Sequence, residues 1–432
     1  MRGDSQTKAS GTCENLRSLH QTRFLQAMAP IKSTALLGLS LLSQASAVKL
    51  LATQFAGQIY TLDLKFQSPT KASLKVVQNI TACGVTPTWL HLDDETRTVY
   101  CIDESWLNQG LGSGNLSQWS VGGNFEKTGA LTLTGSTDTE GNSVHGFTYG
   151  GPDGRSFIIT SEYSPSTITT YKLPITSKTK ALQKIEFTMA APGPRPDRQD
   201  KPHPHAAFTD PTGDFLIVPD LGADLTRIFK INQKTGKLTA CPAIASLPGD
   251  GPRHGLFRKA GRALKYYSLN EVSSSVGVYD VTYPSQGYGT KESCLSLKLV
   301  QTLSNYGPNV PPGNIYVKSA EIHTVGNFLY ASNRNDTTFG FEQDSIAIFQ
   351  IAADGKLKFQ ELTNAHGYYP RSFTFNEAGT YAAIAGQTTA NIAIVKRDAK
   401  TGKLGPLVTN IVLPPRGTYG GEDGVSNVIW IE

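Results

Sequence analysis

Hydrophobic and polar residues alternate in seven short segments spread along the chain: "GQIYTLDL", "NLSQWSV", "TITTYKL", "LTRIFKI", "SVGVYDV", "SIAIFQI" and "NIAIVKR". An alternation of period two predicts half-buried β-strands. Three of these segments run into a tight turn and a further strand through nearly the same text, "NQKTGKL", "AADGKL" and "DAKTGKL". Ahead of them a second turn recurs as "PDGRSF", "PTGDFL", "KAGRAL", "TVGNFL" and "EAGTYA", with glycines at 154, 213, 261, 326 and 379, spaced by 59, 48, 65 and 53 residues. A period of roughly 50 residues, with four strands in each unit, predicts an all-β, seven-bladed β-propeller. A sandwich or a barrel carries no such repeat. The first strand-like text after residue 47, "VKLLATQF", reads as a second strand, whereas the C-terminal "GVSNVIWIE" resembles the first strands "PRHGLF" and "PRSFTF". The C-terminal segment is therefore expected to supply the innermost strand of the first blade and close the ring.

Composition agrees with many short strands joined by turns: of 432 residues, 42 are Gly, 24 Pro, 17 Tyr and 18 Phe, and only 17% are charged. Residues 1–47 read differently. From Met28, "MAPIKSTALLGLSLLSQASA" has Lys32, an apolar run from Ala35 to Leu42 and the small residues Ala45, Ser46 and Ala47, the pattern of a secretory signal peptide cleaved before Val48. Residues 1–27 would be a non-native start or a long leader ahead of it, and 48–432 the propeller domain. The apolar run falls short of the ~20 residues a membrane span needs, so no membrane association is expected after cleavage. Loss of Arg2, Lys8, Arg17, Arg23, Lys32, Asp4 and Glu14 lowers the formal charge from +5 to +2, and a near-neutral chain without a basic run gives no case for nucleic acid. Cleavage also removes Cys13 and leaves Cys83, Cys101, Cys241 and Cys294, an even set suited to an oxidising compartment. The sequons at Asn79, Asn115 and Asn335 fit the same extracellular address.

In a propeller blade the innermost strand starts at one mouth of the channel and the second strand ends there. Residues just before first strands and just after second strands should thus converge. His145, His203, His205, His254, His323 and His366 precede or begin inner strands, and His91 lies within one. Arg253, Glu321 and Arg371 precede inner strands, whereas Asp220, Asp224, Glu271 and Arg334 follow second strands. Structural capping and ion pairing account for some of these. As a set, arginines among carboxylates describe a pocket for an anionic substrate, because guanidinium matches carboxylate or phosphate.

The ordered motifs "HPHAAFTDPTGDFLIVPDLGADL", "GPRHGLF", "NEVSSSVGVYDV", "AEIHTVGNFLYASNR" and "PRSFTFNEAGTY" resemble the seven-bladed propeller lactonase family, which includes 6-phosphogluconolactonases and the fungal 3-carboxy-cis,cis-muconate lactonizing enzyme. The resemblance runs from about residue 48 to the C-terminus and implies a site, without metal or cofactor, acting on a small anionic lactone or carboxylate. It implies the catalytic set His205 (or His203), Arg253, Glu271 and Arg334, and the mouth criterion places His203, Asp220, His254, Glu321, His323 and Arg371 about the substrate. For hydrolysis, a neutral imidazole takes a proton from water while arginines hold the anion and the developing oxyanion. For lactonization, a carboxyl or imidazole delivers a proton to carbon as a carboxylate attacks a double bond.

A Ser-His-Asp hydrolase is disfavoured by the lack of a G-x-S-x-G elbow with its helices. His203-x-His205 could hold a metal, but Pro202 and Pro204 explain it as an extended approach to a strand. Secretion is awkward for cytosolic metabolites, which keeps open a non-catalytic propeller that acts as a surface binding protein. Monomer is the expected state. Cys83 and Cys101 bracket one hairpin and are expected to pair, and Cys241 and Cys294, after the outer turns of successive blades, to join those blades.

Overall fold

The computed structural model describes residues 47–105, 113–284, 294–308 and 316–432; the signal peptide read from residues 28–47 lies almost wholly outside them. The seven alternating segments are the third strands of seven antiparallel sheets. Blade 1 takes Val425–Ile431 as its first strand, followed by Val48–Gln54, Gln58–Ser68 and Lys71–Thr81. The other six use consecutive strands, with first strands Pro87–Asp93, Ser143–Tyr149, Phe208–Thr209, Pro252–Ala260, Lys318–Val325 and Pro370–Phe375 in blades 2 to 7. Closure of the ring is a full antiparallel ladder, from Lys49 opposite Ile431 to Gln54 opposite Val425.

Burial explains the ring. Among the described residues the apolar side chains form seven clusters, each shared by two adjacent blades. Leu50, Leu62 and Trp430 of blade 1 pack on Ile392 and Ile394 of blade 7, so the last interface is as apolar as the others. Each sheet therefore buries both faces, one on each neighbour.

The recurring "GKL" turns clasp blade to blade. Tyr149, Tyr267 and Tyr330 donate from their hydroxyls to the carbonyls of Gly236, Gly355 and Gly402 in the next blade, at 2.6, 2.7 and 2.7 Å. Gln183 and Gln301 form two-way amide pairs with the backbone of Leu238 and Leu357. Gly236 and Gly402 have φ of +70° and +71°, and a Cβ would meet the Phe157 and Phe328 rings at 2.4 and 2.3 Å. Only glycine satisfies both conditions.

The inner strand of blade 4 is short, with only Phe208–Thr209 paired as a strand after the extended, proline-bearing approach. Pro202 and Pro204 bring no N–H to a ladder, so the approach is pinned piecemeal: His205 N–H donates to Pro219 O and Leu221 N–H to His203 O, both at 2.9 Å.

Both expected disulfides are present. Cys83, between blades 1 and 2, is joined to Cys101 on the second strand of blade 2, with Cα atoms 5.8 Å apart. Cys241 and Cys294 tie the outer edges of blades 4 and 5, with Cα atoms 5.9 Å apart. Their sequence separations are 18 and 53. By loop length, Cys241→Ser with Cys294→Ser should cost about 4 kcal/mol and Cys83→Ser with Cys101→Ser about 3 kcal/mol, measured by urea unfolding of each double variant.

Candidate active site

Blades 5 and 6, with the loop between blades 3 and 4, bring three cations onto one carboxylate. Glu271 follows the second strand of blade 5 (Ala263–Asn270), and its N–H donates to Gly251 O at 2.7 Å, fixing it beside the start of its own inner strand. Arg198 Nη2 lies 2.5 Å from Glu271 Oε1, while Arg253 Nε and Arg334 Nη2 lie 2.8 and 2.9 Å from Oε2. The two contacts on Oε2 are off the line of a hydrogen bond, so they act as charge pairs and leave Oε2 an unfilled buried acceptor. Arg253 Nη1 donates to Ala320 O at 2.5 Å, and Arg334 Nη2 to Ser319 O at 2.9 Å. Burial pushes the Glu271 carboxyl up, but Arg334, Arg198, Arg253 and Lys318 outweigh it and hold it well below the usual range. Burial and Arg334 press the Arg253 guanidinium down to about 9, which keeps it charged at neutral pH.

Arg371, at the start of the blade 7 inner strand, organises a second group. Its Nη2 donates to Thr88 Oγ1 at 3.1 Å and reaches Glu104 Oε2 at 3.4 Å; its Nη1 reaches Glu422 Oε2 at 3.3 Å. The two carboxyls diverge. Burial and the nearby Glu422 raise Glu104 to about 7 against the pull of Arg371. Burial also pushes Glu422 up, but Lys318, Arg371, Arg334 and Arg198 bring it to about 2. Lys318, 3.5 Å from Glu422, is pushed down to about 8 by burial and Arg334.

The two groups face one cavity of about 180 Å³, lined by Glu104, Tyr163, Arg198, His205, Glu271, Arg334, Arg371 and Glu422. A second hollow of about 260 Å³ shares Arg198 and Glu271 and is walled by Tyr316, Lys318, Tyr368 and Tyr369. His205 sits edge-on to Tyr163 and His254, and its Nδ1 is buried without a hydrogen bond. Burial, then Arg253 and His254, hold its pKa well below the usual imidazole value, so it is a neutral base at physiological pH. Five cations stand against three carboxyls, one of them pushed to about 7, which leaves the mouth favourable to an anion. A wider hollow of about 790 Å³ lies elsewhere, among the first turns of blades 3 and 4, and none of these charged groups line it.

Of the residues singled out in the sequence, His205, Glu271, Arg334 and Arg371 line the inner cavity, and Arg253 lies directly behind Glu271. His203 is occupied otherwise: its ring stacks on Tyr163 and meets Asp200 Oδ1 and Tyr163 O at 2.8 and 2.9 Å. Asp220 holds the His203 N–H and the Arg227 guanidinium, and Asp224 the N–H groups of Gly249 and Gly251. His254 and Glu321 pair at 3.0 Å in a ring cluster with Trp89 and His145, and His323 packs edge-on to Phe373 in the channel. Arg198, Glu104, Glu422 and Lys318 were missed. Glu104 follows a second strand, and Lys318 and Glu422 stand at or before first strands, so the mouth criterion covers all three. Arg198 lies in a proline-rich crossing that no strand pattern marks. Among the sequon asparagines, Asn79 is exposed on the outer strand of blade 1, Asn115 is half-buried on the third strand of blade 2, and Asn335 borders the outer hollow, where its Oδ1 accepts from Tyr368.

Ring and mouth together define a seven-bladed propeller with a cation-rich cavity at one mouth. Residues 49–418 match the family described as "Lactonase, 7-bladed beta-propeller", and the chain belongs to it. It is 30% identical over 338 residues to an Arthroderma benhamiae protein named "Probable 6-phosphogluconolactonase", covering 77% of this chain and 79% of that protein. It is 28% identical over 362 residues to the 6-phosphogluconolactonase of Formosa agariphila, covering 82% and 92%. The periplasmic gluconolactonase of Pseudomonas aeruginosa superposes with a TM-score of 0.70 at 22% identity, covering 90% of this chain and 99% of that one.

Glu271→Gln would strand Arg253 and Arg334 as buried cations and should destabilise the protein by about 3–5 kcal/mol at pH 7. Because the folded pKa lies below the unfolded one, that difference should persist above about pH 4.5 and shrink as pH falls through the depressed value. Urea unfolding of both proteins from pH 3 to 7 measures it.

Proposed function

We propose that the chain hydrolyses an anionic sugar lactone, with 6-phospho-glucono-1,5-lactone as the leading substrate. One observation carries this reading: a neutral, buried imidazole lines the same small cavity as three arginines. Water held there loses a proton to His205 as its oxygen attacks the lactone carbonyl. Arg198, Arg334 and Arg371 hold the substrate anion and stabilise the negative charge that grows on the carbonyl oxygen. Arg253 acts through Glu271, which fixes the guanidinium array. The names of the relatives support the substrate class.

Secretion belongs to the same proposal. Two disulfides support an oxidising compartment, and among the described residues no helix is long and apolar enough to cross a membrane.

A pH-stat assay of the purified protein on 6-phosphogluconolactone, unphosphorylated lactones and 3-carboxymuconate tests the reading. His205→Asn should lower kcat by about 10²- to 10⁴-fold. Arg198→Ala should raise KM roughly ten- to a hundredfold through loss of a charge-assisted contact. Turnover of 3-carboxymuconate alone would make the protein a lactonizing enzyme, and no turnover above the variants would leave only a binding role.

A further inference from the structure

Hydrolysis of a lactone needs two proton movements. His205 provides for the first, the removal of a proton from water. The second is delivery of a proton to the ring oxygen, which otherwise departs as an alkoxide too basic to leave readily. Resting on the lactonase reading above, we propose that Glu104 is the acid that protonates this leaving oxygen, with Arg371 and Thr88 as its positioning residues.

The geometry carries the assignment. Glu104 follows the second strand of blade 2 (Thr98–Asp103) and lines the same cavity as His205. Its backbone is fixed on both sides, with its N–H donating to Thr86 O at 3.0 Å and its carbonyl accepting from Asn142 N–H. Its side-chain contacts fall on one oxygen: Thr88 Oγ1 donates to Oε2 at 2.8 Å and Arg371 Nη2 lies 3.4 Å from it. Among the described residues Oε1 has no hydrogen bond, so it is the oxygen able to carry a proton to substrate.

The electrostatics agree. The charged groups around Glu104 are Arg371 from blade 7, Glu422 from the loop before the closing strand and Arg253 from blade 5. Its own chain neighbour Asp103 is engaged by Thr86 and by the Ser105 N–H. Glu422 takes the charge that Arg371 and Lys318 stabilise, and burial leaves Glu104 with its proton up to about pH 7. Two carboxyls on one arginine are thus driven apart, as an acid and an anion at a catalytic centre must be.

The step balances. The water oxygen bonds to the carbonyl carbon and its proton goes to His205. The carbon to ring-oxygen bond breaks, and the ring oxygen takes the Glu104 proton to become the product hydroxyl. Solvent then carries the proton from the His205 imidazolium back to the Glu104 carboxylate.

Glu104→Gln keeps the shape and cannot give up a proton. The test compares it with wild type on 6-phosphogluconolactone, which expels an alkoxide, and on a carboxylated aryl lactone, which expels a phenolate. On the sugar lactone kcat should fall roughly 10²- to 10³-fold with KM little changed; on the aryl lactone it should fall less than about tenfold. Wild-type kcat should decline as pH rises through about 7, since the protonated acid is the active form, and the variant should lack that limb. Its acid limb should lie well below pH 6.5 and persist in the variant, because neutral His205 is the active form. The infrared absorption of protonated carboxyls at pH 6, to which Glu162 and Asp344 also contribute, should lose the Glu104 component in the wild-type minus variant difference spectrum, while circular dichroism and Tm report folding. Equal losses on both substrates, a retained basic limb or an unchanged infrared band would overturn the role of Glu104 alone. A wild type inert on every lactone would remove the lactonase reading and this role with it.

Discussion

A sheet with two apolar faces cannot leave either one wet, and from that constraint the rest of this protein follows. Each of the seven sheets covers one face with the blade before it and the other with the blade after it. A row arranged this way would end with two exposed faces, so it must curve until first meets last. Blades 7 and 1 meet through Ile392, Ile394, Leu50 and Trp430, and the strand ladder that holds them is contributed by both ends of the domain. Glycine turns set the blade spacing by letting the "GKL" segments lie against the rings of the previous blade.

Closure has a chemical by-product. Inner strands of seven sheets start around one axis, and their neighbours' second strands end there, so polar residues unsuited to the apolar interfaces collect at one mouth. Arginines brought into that confined space need counter-charges, and Glu271 answers three of them. The remaining carboxyls fall into unlike surroundings. Glu422 has Lys318 and Arg371 close by, whereas Glu104 has burial and only a share in Arg371. Unequal solvation of like groups gives such a site both proton acceptors and proton donors at one pH.

Much of this architecture was legible in the chain. Period-two alternation located the third strands, although the more polar face it predicted to be half-buried is itself covered by a neighbouring blade, and the repeated turn text marked the clasp glycines. The C-terminal "GVSNVIWIE" was recognisable as a first strand by its likeness to the others. The approach to the inner strand of blade 4 was legible too, because Pro202 and Pro204 cannot donate to a ladder, and the paired strand starts only at Phe208. At the mouth, residue position was readable but side-chain direction was not. His203 and His205 look equivalent in the sequence, yet one ring is spent on Asp200 and Tyr163 while the other lines the cavity. Arg198 was invisible for another reason: it arrives from a long loop that crosses the mouth, and loops carry no period.

The last strand made is the innermost strand of blade 1, and Glu422 stands three residues ahead of it. During synthesis, six blades can form while the first remains a three-stranded fragment with an open edge. The same short stretch of emerging chain that shuts the ring also delivers the carboxylate that competes with Glu104 for Arg371. Closure of the ring and completion of the charged pocket thus depend on one short stretch of chain, and a chain cut short before Glu422 would have neither.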